Sequence, residues 1–598
     1  MTIMHEPLRK FISEPLFKII QKQFVDSGQD EQIITEIDIY KSLVDAPKSE
    51  LGHLAFGCFV IAKHLKKSPA LVSQFLAQEL QTLIENDSNL KLNLQSAEAA
   101  GPYLNIKFTS LGLAKNVLDL ILSGKTFQQQ LTQDTPKMMI EYSQPNTHKE
   151  LHVGHMRNMC LGDAIVRLLK YSGYNILAST FPGDVGTHVA KCLWYMKFHN
   201  TEPIPATHRG EWLGAMYSKG NLKLEDEENT PKGDENKKVL TEILKQLEAK
   251  TGEYYDLWKE TRQWSIDLMN QVYEWADIHF DQWYFESDVD SASVKTIKKY
   301  FDEGKLVESQ GAIGLDFSND NLGFCLLLKS DGTGLYATKD IELARKKFED
   351  YHIEKSIYVV DQRQALHFKQ VFKALEYLGF EQAKNCYHLQ YNYVELPDGA
   401  MSSRKGNIVP LMKLVSTMKD YIHTTYLSRY DSEWSPAEMN LVSEQVAKGA
   451  IKYGMLKQDT NKKIVFEMSE WTKLDGESGP FIQYSYARIN SLLKKFEFSI
   501  GQSFDGALLT HPAEIQLMQH LMNFNTVVLS AAENYKPAAV CSYLYDTAKK
   551  FNSFYHDCPI GTAAHEDLKK SRLALAKATG LVLKQGLSLL GIPVPERM

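Results

Sequence analysis

A strand, a loop, a helix and a second strand follow one another between residues 138 and 180, and this order limits the possible folds most. Residues 138–142 are apolar enough for a short buried strand. From His155 onward, apolar residues keep helical spacing until Gly173 ends the helix, and residues 174–180 are again typical of a strand. Such a βαβ unit is the building block of a parallel sheet. The sequence therefore predicts an α/β core with a Rossmann-type, doubly wound parallel sheet.

The length of the chain predicts further domains around that core. A chain of 598 residues exceeds what one hydrophobic core usually organises. Alternating apolar residues suggest a strand near the end of a small α+β unit, whereas nearly every window in the last quarter of the chain is helical. We expect an N-terminal domain at 1–125, the sheet at 126–395 with an insertion near 190–290, a connecting region at 396–475, and an all-α domain at 476–598.

Residues 219–238 are dominated by charge and include the acidic run Glu225-Asp-Glu-Glu228. A stretch of this composition offers little apolar surface to bury. The sequence predicts a solvated surface insertion that does not order itself.

The overall charge and the cysteines exclude several classes of protein. The formal net charge is −7, so any contact with nucleic acid must use local basic patches. One such patch is predicted in 561–598, a helical stretch with six cations and three acids whose face could follow phosphates. Seven cysteines without a CxxC pair predict neither structural zinc nor disulfides. No apolar run approaches the roughly 18 residues of a membrane span, and we expect a cytoplasmic protein.

The tetrapeptide His152-Val-Gly-His155 stands between the first predicted strand and its helix. Backbone amides at a helix N-terminus favour phosphate, and Gly154 lets a nucleotide approach the backbone closely. The spacing places both imidazoles on one side of the first turn, where they can donate hydrogen bonds to a triphosphate. The alternative is a pair of capping or surface histidines, and a zinc site would need further ligands that are not evident nearby.

A second basic segment, Met401-Ser-Ser-Arg-Lys-Gly-Asn407, follows a later predicted strand. Arg404 and Lys405 could close over phosphate oxygens, and the alternative is a solvated basic turn. Together, the two segments resemble the two signature sequences of class I aminoacyl-tRNA synthetases, which implies ATP contacts from Met401 and Ser402. The segment departs from the common KMSKS form, because Ala400 occupies the first lysine position and Arg404 the second.

The resemblance narrows to arginyl-tRNA synthetases at residues 141–149. Their sequence, Glu-Tyr-Ser-Gln-Pro-Asn-Thr-His-Lys, looks like the ExSxPNxxK segment of that family. In family members with a degenerate second signature, the lysine that matches Lys149 is a substitute cation, and the resemblance implies that role here. The similarity covers essentially the whole chain, with further matching stretches at 183–187, 335–340, 358–367, 479–488 and 587–598.

The resemblance also implies a pocket for the side chain of arginine. Asp340 would accept two parallel hydrogen bonds from the guanidinium, whose planar fork of donors suits a carboxylate. Tyr336 and Gln364 would complete this pocket. From the residues alone, Tyr336 could equally be a core aromatic and Asp340 a helix N-cap.

Four more side chains receive substrate roles from the same resemblance. Glu141 and Asn146 would hold the α-amino and carboxylate ends of the amino acid, with Gln144 beside them. His367 would contact the nucleotide.

The implied activity is the ATP-dependent formation of arginyl-adenylate from L-arginine, followed by transfer of arginine to the 3′ end of tRNA(Arg). Magnesium would accompany ATP, although no carboxylate cluster in the sequence identifies its ligands. The C-terminal domain would bind the anticodon, and the N-terminal domain would meet the outer corner of the tRNA. We expect a monomer that needs bound tRNA before it activates arginine.

Three alternatives have less support. A non-catalytic tRNA-binding paralogue of a synthetase would not need the intact HxGH tetrapeptide, Lys149 and Asp340. A small-molecule nucleotidyltransferase that shares HxGH has no use for a long helical C-terminal domain. A cysteinyl enzyme would want zinc-ligand cysteines, which are missing.

Overall fold

The computed structural model describes residues 6–28, 34–128, 135–396, 399–400 and 409–598. These residues form a small α+β domain, an α/β core with a helical insertion, and a helical C-terminal domain. No helix in these ranges is long and apolar enough to cross a membrane. Residues 401–408 carry Met401, Ser402, Arg404 and Lys405, and they lie outside the described residues.

The N-terminal domain packs helices against one face of an antiparallel sheet. Its strands, in the order β1-β2-β4-β3, are β1 (Leu43–Asp45), β2 (Leu54–Gly57), β3 (Leu94–Ala100) and β4 (Tyr103–Phe108). Its helices are α1 (Pro7–Asp26), α2 (Glu36–Ser42), α3 (Phe59–Leu65), α4 (Pro69–Asn86), α5 (Ser88–Asn93), α6 (Ser110–Leu113) and α7 (Asp119–Leu122). Helix α1 begins where it does because the carboxylate of Glu6 accepts hydrogen bonds from the amides of Leu8 and Arg9.

The core contains the predicted parallel sheet, with five strands in the order β12-β11-β5-β6-β7. The strands of the core and its flanks are β5 (Lys137–Glu141), β6 (Asn175–Thr180), β7 (Gln282–Trp283), β8 (Val307–Ser309), β9 (Ala312–Phe317), β10 (Gly323–Leu328), β11 (Lys355–Asp361), β12 (Cys386–Tyr391), β13 (Val394–Leu396), β14 (Gly399–Ala400) and β15 (Ile464–Val465). Strand β5 lies in the middle, and the chain builds outward from it on both sides. The strand order therefore reverses between β5 and β11.

The helices of the core and its insertion follow the strands in the expected alternation. They are α8 (Val153–Tyr171), α9 (Thr187–Phe198), α10 (Arg209–Glu227), α11 (Pro231–Ala249), α12 (Glu253–Ala276), α13 (Glu286–Asp302), α14 (Tyr336–Tyr351), α15 (Ala365–Tyr377), α16 (Leu411–Ile422), α17 (Pro436–Leu456) and α18 (Met468–Trp471). Helices α9 to α12 form the insertion between β6 and β7, and β8 to β10 form a small antiparallel sheet beyond it.

The prediction for residues 219–238 is wrong, because this stretch lies in the ordered helices α10 and α11. The apolar anchor of α11 comes from beyond the charged run: Ile243 and Leu247 are buried against Val189 and Trp194 of α9. The charged residues occupy the outward face of the same helices. Composition alone missed an amphipathic face that only begins where the charged run ends.

The C-terminal domain is all-helical, as predicted. Its helices are α19 (Gly479–Lys495), α20 (Pro512–Met522), α21 (Phe524–Glu533), α22 (Pro537–Asp557) and α23 (Glu566–Leu589). A basic, phosphate-following face on the last helix stays a prediction, since more than half of α23 is buried but Lys584 is exposed. Two of its cations have inward partners: Arg572 donates to the buried carboxylate of Glu514 at 2.7 Å, and Lys569 lies 4.6 Å from the ring centroid of Phe496.

A buried ionic network joins this domain to helix α8 of the core. The carboxylate of Asp163 accepts hydrogen bonds from Arg167 at 2.9 and 3.0 Å and lies 3.4 Å from the ammonium of Lys452, which is fully buried. Arg167 also donates to the carbonyl of Ser588 at the end of α23. A side chain at Gly591 would enter this network, because a Cβ there would lie 2.5 Å from Nζ of Lys452. The α/β core and the helical domain are therefore joined by this electrostatic network.

Candidate active site

The candidate site lies at the carboxyl ends of β5 and β11, where the strand order reverses. In open α/β sheets, such a reversal opens a crevice that binds ligands. The loop that follows β5 carries residues 142–152 and leads directly into α8. The predicted tetrapeptide is therefore placed at the mouth of the crevice.

Both imidazoles of the tetrapeptide are fixed by backbone hydrogen bonds. His152 is the N-cap of α8, and its Nδ1 accepts from the amide of Gly154 at 3.1 Å. Nδ1 of His155 accepts from the amide of His152 at 3.1 Å. Because each Nδ1 is an acceptor, each Nε2 carries the proton of the neutral ring and is a donor. The ring centroids are 4.0 Å apart, so the two donors lie side by side as the spacing predicted.

Burial keeps these two rings neutral. Burial, followed by the nearby positive charges of Arg363 and Lys149, lowers the pKa of His152 to about 4. Burial, followed by the charges of His152 and Lys149, also lowers the pKa of His155 well below its usual value. At neutral pH the pair offers uncharged N–H donors, which can follow charge that develops on a phosphate without binding it tightly beforehand.

The segment that follows the second signature lies directly against the first. The amide of Val153 donates to the carbonyl of Val409 at 3.3 Å, and the amide of Leu411 donates to the carbonyl of Leu151 at 2.9 Å. Between them, His152 and Pro410 form an antiparallel bridge. Residues 409–411, which follow the second signature in the chain, therefore lie beside the tetrapeptide.

Arg157 lies on α8, the helix that begins at the tetrapeptide, and it supports part of the chain on either side of the second signature. Its guanidinium is 2% exposed and donates to the carbonyls of Asn392 at 2.6 Å, Lys462 at 2.8 Å and Asp459 at 3.2 Å. These carbonyls belong to the turns that flank β13 and β15. Helix α8 therefore fixes the turns that lead into β13 and β15.

Lys149 lies where its charge reaches the histidines of the crevice. Its Nζ is 5.0 Å from the centroid of the Tyr217 ring. After burial, the charge of Lys149 is the next largest cause of the lowered pKa of His188, and it contributes to the lowered pKa values of His152 and His155. The predicted substitute cation therefore lies close to the tetrapeptide.

Glu141 is more deeply placed than the sequence suggested. It is 3% exposed at the end of β5, and its Oε2 accepts from the ammonium of Lys347, which is fully buried. Its Oε1 accepts a hydrogen bond from the side-chain amide Nε2 of Gln144 at 3.2 Å. Asn146 forms a parallel bridge with Gly183, where a Cβ would lie 2.4 Å from Oδ1 of Asn146. The residues predicted to hold the two ends of the amino acid, Glu141, Gln144 and Asn146, therefore lie at the end of β5 and on the loop that follows it.

Asn158 fastens that loop to the sheet, and sequence reasoning missed it. Its Oδ1 accepts from the amide of Ser143 at 2.6 Å, and its Nδ2 donates to the carbonyl of Val359 at 2.8 Å and to the Tyr391 hydroxyl at 3.1 Å. The available signal was a polar residue on an otherwise apolar face of α8, one turn after His155.

The insertion also holds the loop. His148 is fully buried in a left-handed conformation with φ of 59°, and its ring nitrogens lie 2.9 Å from the hydroxyl of Thr147 and 2.8 Å from that of Thr261 on α12. Its amide donates to the hydroxyl of Ser265 on the same helix at 2.9 Å. Burial lowers the pKa of His148 to about 3. The loop before the tetrapeptide is therefore clamped between the sheet and α12.

The proposed arginine pocket lies on α14 and α15. Helix α14 begins at Tyr336, so Asp340 lies inside the helix and is not its N-cap. Tyr336 is 61% exposed, which excludes the core alternative, and Asp340 lies one turn further along the same face. Gln364 is exposed at the start of α15, and Nε2 of His367 lies 2.5 Å from Oδ2 of Asp340. The structure thus pairs His367 with the carboxylate of Asp340, a contact that the predicted nucleotide-binding role of His367 did not include.

Magnesium has no pre-formed protein site among the described residues. No group of three or more His, Cys, Asp or Glu side chains in the described ranges is arranged to hold a metal ion. A magnesium ion usually keeps several waters and binds through substrate phosphates with one or two carboxylates.

Comparisons with known proteins add a second line of evidence to this geometry. Three family models match: "Arginyl tRNA synthetase N terminal domain" at residues 15–108, "tRNA synthetases class I (R), catalytic domain" at 116–468, and "DALR anticodon binding domain" at 482–598. The chain is 61% identical over 596 residues to an arginine–tRNA ligase of Bdellovibrio bacteriovorus, with 100% of each chain covered. The chain belongs to the arginyl-tRNA synthetase family.

More distant members of the arginyl-tRNA synthetase family agree over nearly the whole length. An arginine–tRNA ligase of Clostridium perfringens is 33% identical, with 96% of this chain and 100% of the relative covered. The Thermus thermophilus arginyl-tRNA synthetase structure matches with a TM-score of 0.76 and 25% identity, over 98% of this chain and 100% of that one. The resemblance inferred from the signatures is confirmed.

Proposed function

We propose that this chain joins L-arginine to tRNA(Arg) in two steps, the first of which uses ATP. In the first, the carboxylate of arginine attacks the α-phosphate of ATP, and pyrophosphate leaves. In the second, the terminal ribose hydroxyl of the tRNA takes the arginyl group, and AMP leaves. Membership in the arginyl-tRNA synthetase family carries the overall reaction. The observation that supports the site is the pairing of residues 151–153, at the first signature, with residues 409–411, which follow the second signature in the chain.

The phosphate side of the crevice supplies neutral donors and a cation. We assign to His152 and His155 the role of donating Nε2 hydrogens to the phosphates as negative charge moves toward the leaving pyrophosphate. Lys149 supplies the positive charge that the departure from KMSKS removes. Arg404 and Lys405, with Met401 and Ser402, would add contacts from the second signature.

The amino-acid side of the crevice recognises arginine. Asp340 would take the guanidinium through two parallel hydrogen bonds, with Tyr336 and Gln364 beside it on α14 and α15. Glu141, at the end of β5, with Gln144 and Asn146 on the loop that follows, would hold the opposite end of the substrate. Catalysis is then mainly positioning and charge stabilisation.

The remaining parts of the reaction follow from the domain order. Magnesium would arrive with the phosphates of ATP. The two outer domains would contact the tRNA, at its anticodon and its outer corner. We propose a monomer, because one chain contains the N-terminal domain, the α/β core and the C-terminal domain. We propose a cytoplasmic location, because ATP, arginine and tRNA are available there.

The test is charging of tRNA with labelled arginine by the purified chain. We expect acid-precipitable arginine with intact tRNA and none with tRNA whose terminal adenosine has been removed, because that tRNA lacks the accepting hydroxyl. A non-catalytic paralogue would bind tRNA and leave it uncharged.

A further inference from the structure

We propose that Tyr217, on insertion helix α10, is a positioning residue that holds the ammonium of Lys149 over the phosphate-binding histidines. This inference rests on the proposed role of Lys149. Nζ of Lys149 lies 5.0 Å from the centroid of the Tyr217 ring, within the range of a cation–π contact. The aromatic face attracts an ammonium without neutralising it, unlike a carboxylate. Contact with the ring of Tyr217 therefore leaves the charge of the ammonium in place.

The ring of Tyr217 is fixed in place. It is 4% exposed and packs in a small cluster with Leu213, Cys192 and Trp264, which are themselves buried. A lysine has a flexible four-carbon stem and many rotamers. A rigid ring beside that stem restricts where the charge can lie, and this restriction is the contribution of α10.

A close approach of backbones brings α10 to the loop that carries Lys149. A Cβ at Gly214 would lie 2.7 Å from both the amide nitrogen and the Cβ of Glu150, so only glycine permits this contact. Gly214 and Tyr217 are three residues apart and share one face of the helix. Burial, and then the charge of Glu211 on the same helix, raises the pKa of Glu150 to about 7. Helix α10 thus contacts two consecutive loop residues: Tyr217 contacts Lys149, and Gly214 contacts Glu150.

The position of the charge connects this contact to the reaction. The charge of Lys149 lowers the pKa values of His152, His155 and His188, so the ammonium lies near the donors assigned to the phosphates. An insertion helix therefore has a part in the activation step, through the position that it gives to Lys149.

The experiment compares Tyr217→Leu, which removes the ring, with Tyr217→Phe, which keeps it. We expect Tyr217→Leu to slow single-turnover adenylate formation about tenfold, the effect of a partly desolvated cation–π contact. The KM for arginine and the affinity for tRNA should stay unchanged. Tyr217→Phe should stay within about twofold of the wild type, because the ring face rather than the hydroxyl attracts the cation.

Tyr255→Leu is the matched control. The ring of Tyr255, also on the insertion, carries the ammonium of Lys259 at 5.0 Å, but that lysine is 54% exposed and pairs with Asp256. The control removes the same kind of contact away from the tetrapeptide and should leave adenylate formation unchanged.

The Lys149→Ala background separates positioning from a structural effect. With no ammonium to position, Tyr217→Leu should cause no further slowing there. The proposal is overturned if Tyr217→Leu reacts at the wild-type rate, if it loses the same factor in both backgrounds, or if Tyr217→Phe is as slow as Tyr217→Leu. A Lys149→Ala enzyme with full activity would instead refute the proposed role of Lys149 itself.

Discussion

Asp340 and His367 are joined by a hydrogen bond of 2.5 Å between the carboxylate Oδ2 and the imidazole Nε2, so the proposed guanidinium acceptor already has a partner within the protein. Burial alone would lower the pKa of His367, but the hydrogen bond and the charge of Asp340 outweigh it and raise the pKa above 6.5. A protonated His367 is a cation on the carboxylate to which the proposed function assigns the guanidinium. We therefore expect the histidine to hold the carboxylate in place and to compete with the substrate.

Arginine binding should strengthen as pH rises through the pKa of His367. Below that pKa the imidazolium pairs with Asp340, and above it the neutral ring releases the carboxylate to the guanidinium. The KM for arginine, measured in ATP/pyrophosphate exchange across neutral and mildly alkaline pH, should fall in the wild type and vary less in His367→Gln. His279→Gln removes an exposed histidine that lies 3.4 Å from Asp277 and is the control. Identical pH profiles in the wild type and His367→Gln would contradict the competition.

The preference for arginine should depend on the charge of Asp340. Asp340→Asn keeps the size and one acceptor but deletes the charge, which leaves a partly buried guanidinium without its counter-ion. We expect a KM for arginine about a hundredfold higher, and a much smaller preference over neutral citrulline. The KM for ATP should change little. If Asp340→Asn kept the full preference, the carboxylate would have no part in choosing the amino acid.

The two histidines of the tetrapeptide should act on rate rather than on binding. Each neutral Nε2–H donates to charge that develops only in the transition state, so His152→Ala and His155→Ala should each lose about 3 kcal/mol of stabilisation, or about a hundredfold in adenylate formation. Affinities for arginine and tRNA should remain near those of the wild type. Rapid-quench measurement of adenylate gives the rate, and unchanged rates in both variants would remove the tetrapeptide from the mechanism.

His148 should make the stability of the core sensitive to acid. Its pKa is about 3 in the folded chain and about 6.5 when unfolded, so the unfolded chain takes up the proton first as pH falls. Stability is therefore lost as pH decreases below about 6.5, at up to about 1.4 kcal/mol per pH unit. His148→Asn suits the left-handed backbone and cannot titrate. Its melting temperature should be lower at neutral pH and fall less on acidification, and a parallel fall in both proteins would contradict this role.

The parts of the fold that the sequence predicted depend on local patterns. The strand before the tetrapeptide, helix α8 and the strand that follows each have their own apolar periodicity, and all three form where expected. Residues 219–238 show the limit of such reasoning, because their order depends on packing by Ile243 and Leu247 against a separate helix. The start of α14 is a second example: it begins four residues before Asp340, which turns a candidate cap into a helix-interior carboxylate.

The supporting residues of the site could not be predicted, because their partners are distant in sequence. The guanidinium of Arg157 reaches carbonyls 235 and 305 residues away, and the ammonium of Lys347 reaches a strand 206 residues earlier. Tyr217 meets Lys149 only because the insertion folds back onto the loop. Chemistry-bearing residues reveal themselves by type and spacing, whereas the residues that hold them emerge only from the tertiary structure.

The most direct test of the account is ATP/pyrophosphate exchange by the purified chain with each of the standard amino acids, with and without tRNA. The account predicts that arginine is the one amino acid that supports exchange. The family resemblance predicts that this exchange requires tRNA. Lysine should fail, because a single ammonium cannot reproduce the planar fork that Asp340 accepts. Exchange that depends on another amino acid would contradict the assignment of this crevice to arginine activation. The absence of exchange with arginine, when ATP, magnesium and tRNA that can accept an amino acid are present, would contradict it as well.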